Sequence, residues 1–189
     1  MVSHAHVLEI VDLYAERFPE RAAALAPLRA LLAESADVTS RLEFRGHVTC
    51  GAVVRDAEGR VLLVHHRALD RWLMPGGHLE AGDRTLLGAA ARELVEEVGF
   101  PPDALRVPFV WHEVPVHIDC HGIPANPKKG EPSHEHWDFR YVFEVSDAAA
   151  ITLQAEEVLD AAWRSPAEHS QQLVDILSAA AAFNPALPR

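Results

Sequence analysis

Apolar residues recur at helical spacing over the first part of the chain, between about residues 7 and 33. The positions that follow this spacing are Val7, Leu8, Val11, Leu13, Tyr14, Leu25, Leu28, Leu31 and Leu32. Side chains three and four residues apart share one helix face, so this pattern predicts amphipathic helix. Pro19 and Pro27 interrupt the pattern, which predicts two or three short helices. We expect residues 1–40 to form a helical extension packed on a domain at residues 41–189, with a partner- or dimer-forming role as an alternative.

A change from helical spacing to β-rich runs follows. Residues 46–54 and 61–67 are short apolar segments joined by a turn sequence at residues 56–59, which predicts a β-hairpin. Residues 72–75 then lead into Gly76-Gly77, where we expect a glycine-rich turn before the next helix.

The helical pattern resumes near Thr85 and ends at Gly99, which can take the left-handed conformation of a helix C-terminus. Glu93, Glu96 and Glu97 are spaced three and four residues apart, so they share one side of this helix. Like charges at this spacing are destabilising. A magnesium or manganese ion would remove that cost, because carboxylate oxygens are its preferred ligands. A solvated acidic face is the alternative.

Two extended segments, residues 109–121 and 133–145, flank a loop rich in proline and glycine at residues 122–132. In the second segment an aromatic row alternates with a polar row; the aromatic residues are Trp137, Phe139, Tyr141 and Phe143, and the polar ones are His134, His136, Asp138 and Arg140. His117, Asp119 and His121 share a face of the first segment. If the two segments pair, the polar rows meet. They could line a substrate pocket, hold a transition metal or face solvent.

The last part of the chain contains an acidic segment within residues 151–163 and a helical pattern at residues 167–183 that follows Ser165-Pro166. We expect a turn at residues 146–147 and a frayed tail at residues 184–189.

Composition narrows the functional classes. The net charge of −11 argues against binding to nucleic acid or to an anionic membrane. The two cysteines, Cys50 and Cys120, do not make a disulfide framework, which favours a reducing cytoplasm. We see no signal peptide and no apolar stretch long enough to cross a bilayer.

The glycines and the acidic helix together resemble the Nudix hydrolase signature. That pattern is a glycine, five residues, a glutamate and seven residues, followed by Arg-Glu, an aliphatic residue, any residue, Glu-Glu, any residue, Gly and an aliphatic residue. Residues 92–99 match the second half in full, and Phe100 is the final apolar residue. Asp83 stands in place of the first glutamate, and eight residues instead of seven separate it from Arg92. We place the extra residue near Arg84-Thr85, because an insertion inside the helix would rotate the carboxylates off their shared face.

The resemblance implies an α/β fold of the α+β type, an α/β/α sandwich with a mixed sheet. It implies catalytic roles for Glu93, Glu96 and Glu97, which with the Gly77 carbonyl would bind Mg²⁺, with Mn²⁺ as an alternative. The base would be Glu93 or a late carboxylate, for which Glu156 and Glu157 are candidates.

The resemblance also bears on three arginines and two histidines. Arg92 would form an ion pair with Asp83 or bind phosphate. Arg67 would contact a substrate phosphate or form a surface salt bridge. His134, His136 and Arg140 are the further candidates for substrate binding.

The implied reaction is metal-dependent hydrolysis of a phosphoanhydride bond in a nucleoside diphosphate linked to another moiety, or in a nucleoside triphosphate. Two alternatives use the same fold: a catalytically silent nucleotide sensor, suggested by the altered Asp83 region, and an isopentenyl-diphosphate-type isomerase, for which Cys120 would be the catalytic cysteine. The expected partner is a small-molecule nucleotide, without nucleic acid or membrane, in a cytoplasmic protein that could form a homodimer.

Overall fold

The computed structural model of the protein describes residues 1–108, 111–145 and 151–183. Three parts of the sequence predictions fall outside these ranges. They are residues 109–110 of the first extended segment, the turn at residues 146–147 and the tail at residues 184–189.

The N-terminal region is helical, as predicted, and is divided into three pieces. Helix α1 spans His4–Arg17, a 3₁₀ segment spans Pro19–Leu25 and helix α2 spans Ala26–Ala33. The division at Pro19 follows from its missing N–H group, which cannot continue the helical hydrogen bonds. Apolar residues of α1 and α2 are buried in the same core cluster as the sheet. The boundary at residue 40 stays a prediction.

Eight strands form one mixed sheet. They are β1 His47–Arg55, β2 Val61–His66, β3 Arg71–Leu73, β4 Gly76–His78, β5 Leu105–Arg106, β6 His117–Ile123, β7 His134–Val145 and β8 Val158–Arg164. The main order is β3-β2-β1-β7-β5, while β4 pairs with β1, β6 with β7 and β8 with β2. Strands β1 and β7 are parallel, whereas the other pairs are antiparallel. The predicted mixed sheet and the β1–β2 hairpin are confirmed.

The third helix, α3, spans Leu86–Val98 and lies against β1 and β7. The Thr85 hydroxyl accepts a hydrogen bond from the Gly88 N–H at 3.0 Å and caps its start. Gly99 ends it with φ of 70°, the left-handed conformation that was predicted. A 3₁₀ segment at Pro102–Ala104 then leads into β5.

Three local predictions are wrong. Residues 76–78 form strand β4 instead of a turn, because they pair with β1. The segment from residue 111 becomes a strand only at His117; its start turns back with a hydrogen bond from the Trp111 N–H to the Pro108 carbonyl at 2.8 Å. The last helix is two helices, α4 Pro166–His169 and α5 Gln171–Phe183.

The break between α4 and α5 has a local cause. Ser170 has extended backbone angles, and its hydroxyl accepts a hydrogen bond from the Leu173 N–H at 3.2 Å. Serine favours such capping positions over the middle of a helix, because its side chain competes for backbone groups. Ser170 therefore starts a second helix instead of continuing the first.

The core lies between the sheet and the helices. The aromatic row of β7 is 2% exposed or less, which confirms its predicted packing role; its members are Trp137, Phe139, Tyr141 and Phe143. Cys50 is also buried, and both cysteines are free thiols. Within the described ranges, the helices lack the combination of length and hydropathy that crossing a bilayer requires.

Candidate active site

Helix α3 turns two of its three carboxylates toward the sheet. Glu93 is 8% exposed and Glu97 is 3% exposed, while Glu96 is exposed to solvent. The Gly76 N–H of β4 donates a hydrogen bond to Glu97 Oε2 at 3.2 Å. The predicted shared face therefore divides into a buried pair, Glu93 and Glu97, and a carboxylate at its solvent edge, Glu96.

Burial and mutual repulsion change the acidity of this pair. Burial raises the pKa of Glu93 to about 7, and the charges of Glu96 and Glu157 act in the same direction. Burial also raises the pKa of Glu97 to about 8, with a further contribution from the Glu93 charge. Two buried carboxylates that repel each other have the oxygen donors and the excess negative charge that a hard divalent cation requires. The residues present therefore fit magnesium.

Gly77 lies directly against Glu93. A Cβ atom at this position would stand 2.5 Å from Glu93 Oε1 and 2.8 Å from its carboxyl carbon. Only a glycine lets the backbone of β4 approach the carboxylate this closely. The local sequence thus brings backbone and side-chain oxygen donors together at one end of α3.

Arg92 connects the loop before α3 to its carboxylates. Its Nε donates to Asp83 Oδ1 at 3.0 Å, and its Nη1 lies 2.6 Å from Glu96 Oε2 and 3.1 Å from Glu93 Oε1. Its Nη2 donates to the His78 carbonyl at 2.9 Å. The structure thus shows the Arg92–Asp83 ion pair, the first of the two alternatives for Arg92. Asp83 belongs to the site as a support for this arginine.

The late acidic segment lies at the C-terminal end of α3. The Gln154 N–H donates to the Glu97 carbonyl at 3.1 Å, and the Arg67 N–H donates to the Glu157 carbonyl at 2.8 Å. The Glu157 side chain is exposed, and its charge contributes to the raised pKa of both Glu93 and Glu97. Of the two candidates for a late base, Glu157 is the one whose charge acts on both buried carboxylates.

Arg67 is exposed and bound to the same segment. Its Nε and Nη2 donate to the Ala155 carbonyl at 3.0 and 2.6 Å. Among the described contacts this carbonyl, not an acidic side chain, holds the guanidinium.

The two polar rows meet, as the sequence predicted if their segments paired. Strands β6 and β7 are antiparallel, with His117 opposite Arg140 and His121 opposite His136. Arg140 donates to Asp138 Oδ2 at 2.8 Å and to Asp119 Oδ2 at 3.3 Å. Arg140 is therefore held by two carboxylates of the polar face, apart from the histidines predicted to act with it.

Histidines from four strands converge at the neighbouring end of this face. His47 of β1 and His78 of β4 have ring centroids 5.2 Å apart, and His136 of β7 lies 4.7 Å from His47 and 5.0 Å from His78. His134 lies 5.0 Å from His47, and His121 of β6 lies 5.7 Å from His136. We call these five residues the histidine cluster.

Sequence reasoning found part of this cluster and missed His47 and His78. His47 joins His136 only through the parallel β1–β7 pairing, and His78 joins it through β4, which was predicted to be a turn. Burial lowers the pKa of His78 to about 4 and that of His136 to about 3, so both imidazoles are neutral at pH 7.

Cys120 would be the catalytic cysteine if the protein were an isomerase, but its surroundings make it a poor nucleophile. Partial burial and the neighbouring Glu135 carboxylate raise the pKa of its thiol to about 11. Its Sγ lies 3.6 Å from Glu135 Oε2. A thiol with this acidity is protonated at neutral pH, whereas the thiolate is the reactive form.

Comparison with known proteins adds an independent result. The family model described as the NUDIX domain matches residues 45–184. Among curated proteins, Phosphatase NudJ of Escherichia coli K12 is 52% identical over 58 residues, which cover 30% of this chain and 37% of that protein. The match thus spans little more than a third of the curated relatives' length.

Solved structures share the fold over a longer stretch. A C. elegans Ap4A hydrolase binary complex has a TM-score of 0.56 at 16% identity, covering 74% of this chain and 98% of that one. The E. coli dihydroneopterin triphosphate pyrophosphohydrolase has a TM-score of 0.51 at 19% identity, covering 74% and 96%. At these identities the likeness shows the fold.

Proposed function

Because this chain belongs to the Nudix family, we propose that it is a magnesium-dependent pyrophosphohydrolase. Its substrate would be a nucleoside diphosphate linked to another moiety, or a nucleoside triphosphate. The observation that carries the proposal is the pair of buried carboxylates, Glu93 and Glu97, beside the bare backbone of Gly77.

Phosphoanhydride hydrolysis depends mainly on charge neutralisation and on a positioned water. Glu93, Glu96, Glu97 and the Gly77 carbonyl would hold the magnesium. When bound, the ion supplies positive charge to the phosphates and makes water more acidic. Arg92 keeps Glu93 and Glu96 in place through its contacts at 3.1 and 2.6 Å, and Asp83 in turn fixes Arg92.

The proton of the attacking water needs an acceptor. Glu157 is our first choice for this base because its side chain is exposed and its charge acts on both Glu93 and Glu97. A carboxylate open to solvent can reach a bound water and accept its proton. Glu93 is the alternative base.

Substrate contacts are proposed on either side of the carboxylates. Arg67 would meet a phosphate oxygen with the donors that its bond to Ala155 leaves free. Arg140, held by Asp119 and Asp138, would meet the base or sugar. His134 and His136 are further candidates for this contact.

Proteins with the same fold support a hydrolytic reaction. Those compared above are named as an Ap4A hydrolase and as a pyrophosphohydrolase of dihydroneopterin triphosphate. The net charge of −11 favours a small-molecule substrate over nucleic acid or an anionic membrane surface. A homodimer and a cytoplasmic location stay predictions.

A substrate panel tests the proposal. The protein is incubated with nucleoside triphosphates, nucleoside diphosphates linked to sugars or nucleosides, and isopentenyl diphosphate, with and without Mg²⁺. We expect phosphate, pyrophosphate or nucleotide release that requires Mg²⁺ and falls by about 10²-fold or more in Glu97→Gln. Glu16→Gln, an exposed carboxylate of α1, is the matched control and should keep full activity.

Each contrary outcome has a distinct meaning. Release that Glu97→Gln leaves unchanged contradicts the role of the acidic helix. Tight nucleotide binding with no product after long incubation indicates the silent sensor. Rearrangement of isopentenyl diphosphate without hydrolysis indicates the isomerase.

A further inference from the structure

The histidine cluster lies on the opposite face of the sheet from Glu93. Gly77, which faces Glu93, pairs with Cys50 of β1, whereas the next residue, His78, pairs with Thr49. Consecutive residues of a strand point to opposite faces, so β4 presents Gly77 to the acidic helix and His78 to the histidines. An ion held by these imidazoles would therefore be a different ion from one held by the carboxylates.

Two of the histidines have their tautomers fixed by backbone carbonyls. His134 Nδ1 lies 2.8 Å from the Pro132 carbonyl oxygen, and His47 Nδ1 lies 3.2 Å from that of Glu43. A carbonyl only accepts hydrogen bonds, so Nδ1 of each ring must carry the proton. In the neutral form of each ring, Nε2 is therefore the nitrogen with the lone pair, as in metal-binding histidines whose other nitrogen is held by a carbonyl.

These lone pairs converge with a third imidazole. His134 Nε2 and His136 Nε2 are 3.2 Å apart, and the ligand nitrogens of His47, His134 and His136 all lie within 4.8 Å of one another. Nitrogens bound to one tetrahedral zinc ion are separated by about 3.3 Å, which follows from bond lengths of about 2.0–2.1 Å. The pair His134 and His136 already has this separation, and the His47 nitrogen lies within 4.8 Å of both.

Hydrogen bonds among the three imidazoles cannot pair all of their ring nitrogens. A proton on His136 Nε2 could be shared with His134 Nε2. His47 Nε2 would still be a buried acceptor with no hydrogen-bond partner among the described residues, in a residue that is 1% exposed. A buried unpaired acceptor is unfavourable, because it has lost its hydrogen bond to water without gaining another. A cation would bind all three lone pairs at once and remove this cost.

The chemistry of the donors selects the cation. Neutral imidazole nitrogens suit zinc and the neighbouring transition metals, whereas magnesium prefers oxygen. Besides the neighbouring His134, the charged groups that act on His47 are Arg41 and Glu131, which form an ion pair at 3.2 Å and so add little net charge. We propose that His47, His134 and His136 form a second metal site, selective for a zinc-class divalent cation and separate from the carboxylate site.

Such an ion would join two parts of the chain that are far apart in sequence. It would tie β1, through His47, to the start of β7, through His134 and His136, and so fix the end of the loop that precedes β7. Three protein nitrogens leave a fourth position open to water or another donor, and the ring of His78 lies beside the site.

Metal titration of the full, untagged chain tests the proposal. Protein freed of metal with a chelator is titrated with Zn²⁺ in a calorimeter, with excess Mg²⁺ present to occupy oxygen sites. We expect one Zn²⁺ per chain and a rise in melting temperature. His136→Gln and His47→Gln should each weaken Zn²⁺ binding by more than about 100-fold. Loss of a residue that only hydrogen-bonds to a metal ligand already weakens binding by about 10–100-fold, and loss of the ligand itself should weaken it further.

Two variants serve as controls for location. Glu97→Gln, in the carboxylate site, and His112→Gln, an exposed histidine outside the cluster, should both bind Zn²⁺ as the unchanged protein does. Zinc binding that is lost in Glu97→Gln and kept in His136→Gln would overturn the proposal. So would the absence of stoichiometric binding to the unchanged chain.

X-ray absorption spectroscopy of the zinc-loaded, unchanged chain identifies the atoms bound to zinc directly. It does not depend on whether a variant folds. We expect three nitrogen neighbours of imidazole type at about 2.0–2.1 Å. A shell made of oxygen alone contradicts the site. Because this readout is independent of hydrolysis, a failure of the proposed activity leaves the test of the zinc site intact.

Discussion

A methyl group added to Gly77 would stand 2.5 Å from Oε1 of Glu93. This contact joins the first glycine of the family pattern to its first helical glutamate through space, across 15 residues of intervening chain. The backbone of β4 and the acidic face of α3 are therefore one unit, and neither can shift without the other.

Gly77→Ala should displace the Glu93 carboxylate. No side chain fits the 2.5 Å gap, so the carboxylate or the strand must move, at a cost of about 1–3 kcal/mol in unfolding free energy. We also expect at least about a tenfold loss of kcat/KM, since one ångström of misplacement costs as much as 10² in rate. Urea unfolding and steady-state kinetics measure the two effects.

Gly82→Ala is the matched control for this substitution. A Cβ atom at Gly82 would have no atom within 4 Å, and the residue is exposed. We expect a change in unfolding free energy within about 0.5 kcal/mol and unchanged kinetics. Equal losses for the two alanine variants would contradict the close-approach explanation.

Removal of the Asp83 charge should destabilise the protein. Asp83 has a 4% exposed side chain, accepts from the Glu80 N–H at 2.7 Å and pairs with Arg92 at 3.0 Å. Asp83→Ala removes one carboxylate from this partly buried guanidinium and leaves the Glu80 N–H without its acceptor, while Glu93 and Glu96 stay beside Arg92. We therefore expect a loss of about 1–3 kcal/mol in unfolding free energy. Chemical denaturation measures the loss.

An exposed ion pair provides the comparison. Glu34 and Arg45 are 2.8 Å apart, but their side chains are 64% and 52% exposed. Glu34→Ala should change the unfolding free energy by less than about 1 kcal/mol, since exposed pairs contribute little. If Asp83→Ala were no more destabilising than this variant, the supporting role of Asp83 would be wrong.

Adjacent glutamates allow a clean test of the proposed base. Glu157→Gln should lower kcat by about 10²–10⁴-fold, the usual contribution of a general base, with a small change in KM. Glu156→Gln changes the same chemistry one residue away and should leave kcat within about twofold of the unchanged protein. Similar rates for both variants would transfer the role of base to Glu93.

Stability in acid should depend on Asp119. A hydrogen bond from His121 and the charge of Arg140 lower the pKa of Asp119 to about 2. A depressed carboxyl pKa stabilises the folded state above the ordinary value near 4, and this stabilisation is lost as pH falls through 2. The other titratable groups that face Asp119 are His117 and Asp138.

Asp119→Asn should therefore be less stable than the unchanged protein by about 1–2 kcal/mol at pH 7. The difference should persist at pH 5 and shrink between pH 4 and pH 2. Urea titrations at these pH values measure it, with the exposed Asp103→Asn as a control expected to show little difference throughout. A gap that stays constant down to pH 2 would contradict this linkage.

The residues around α3 show what local sequence can predict. The start at Thr85, the end at Gly99 and the Arg92–Asp83 pair all depend on residues within 20 positions of one another, so spacing and capping rules reach them. The same rules place three glutamates on one face but cannot show that the sheet covers Glu93 and Glu97 and leaves Glu96 exposed. Burial of these side chains depends on the sheet that packs against the helix, which helix spacing does not describe.

Long-range pairing sets the limit of prediction. Alternation in β7 predicted its polar and aromatic rows, and both are found. The parallel partner of β7 is β1, nearly 90 residues earlier in the chain, and no local signal identifies it. The sequence pattern therefore did not predict a role for His47, although this residue is buried beside His134 and His136, which the alternation in β7 did identify.

Strand β4 has only three residues, and its register against β1 decides which chemistry each face of the sheet presents. Sliding by one residue would turn the imidazole of His78 into the carboxylates and leave bare backbone among the histidines. Two contacts of Gly76 oppose this change of register: its backbone lies close to the Cys50 carbonyl, and its N–H donates a hydrogen bond to Glu97. Gly76 and Gly77 thus keep the oxygen ligands of α3 on one face of the sheet and the nitrogen ligands of the histidine cluster on the other.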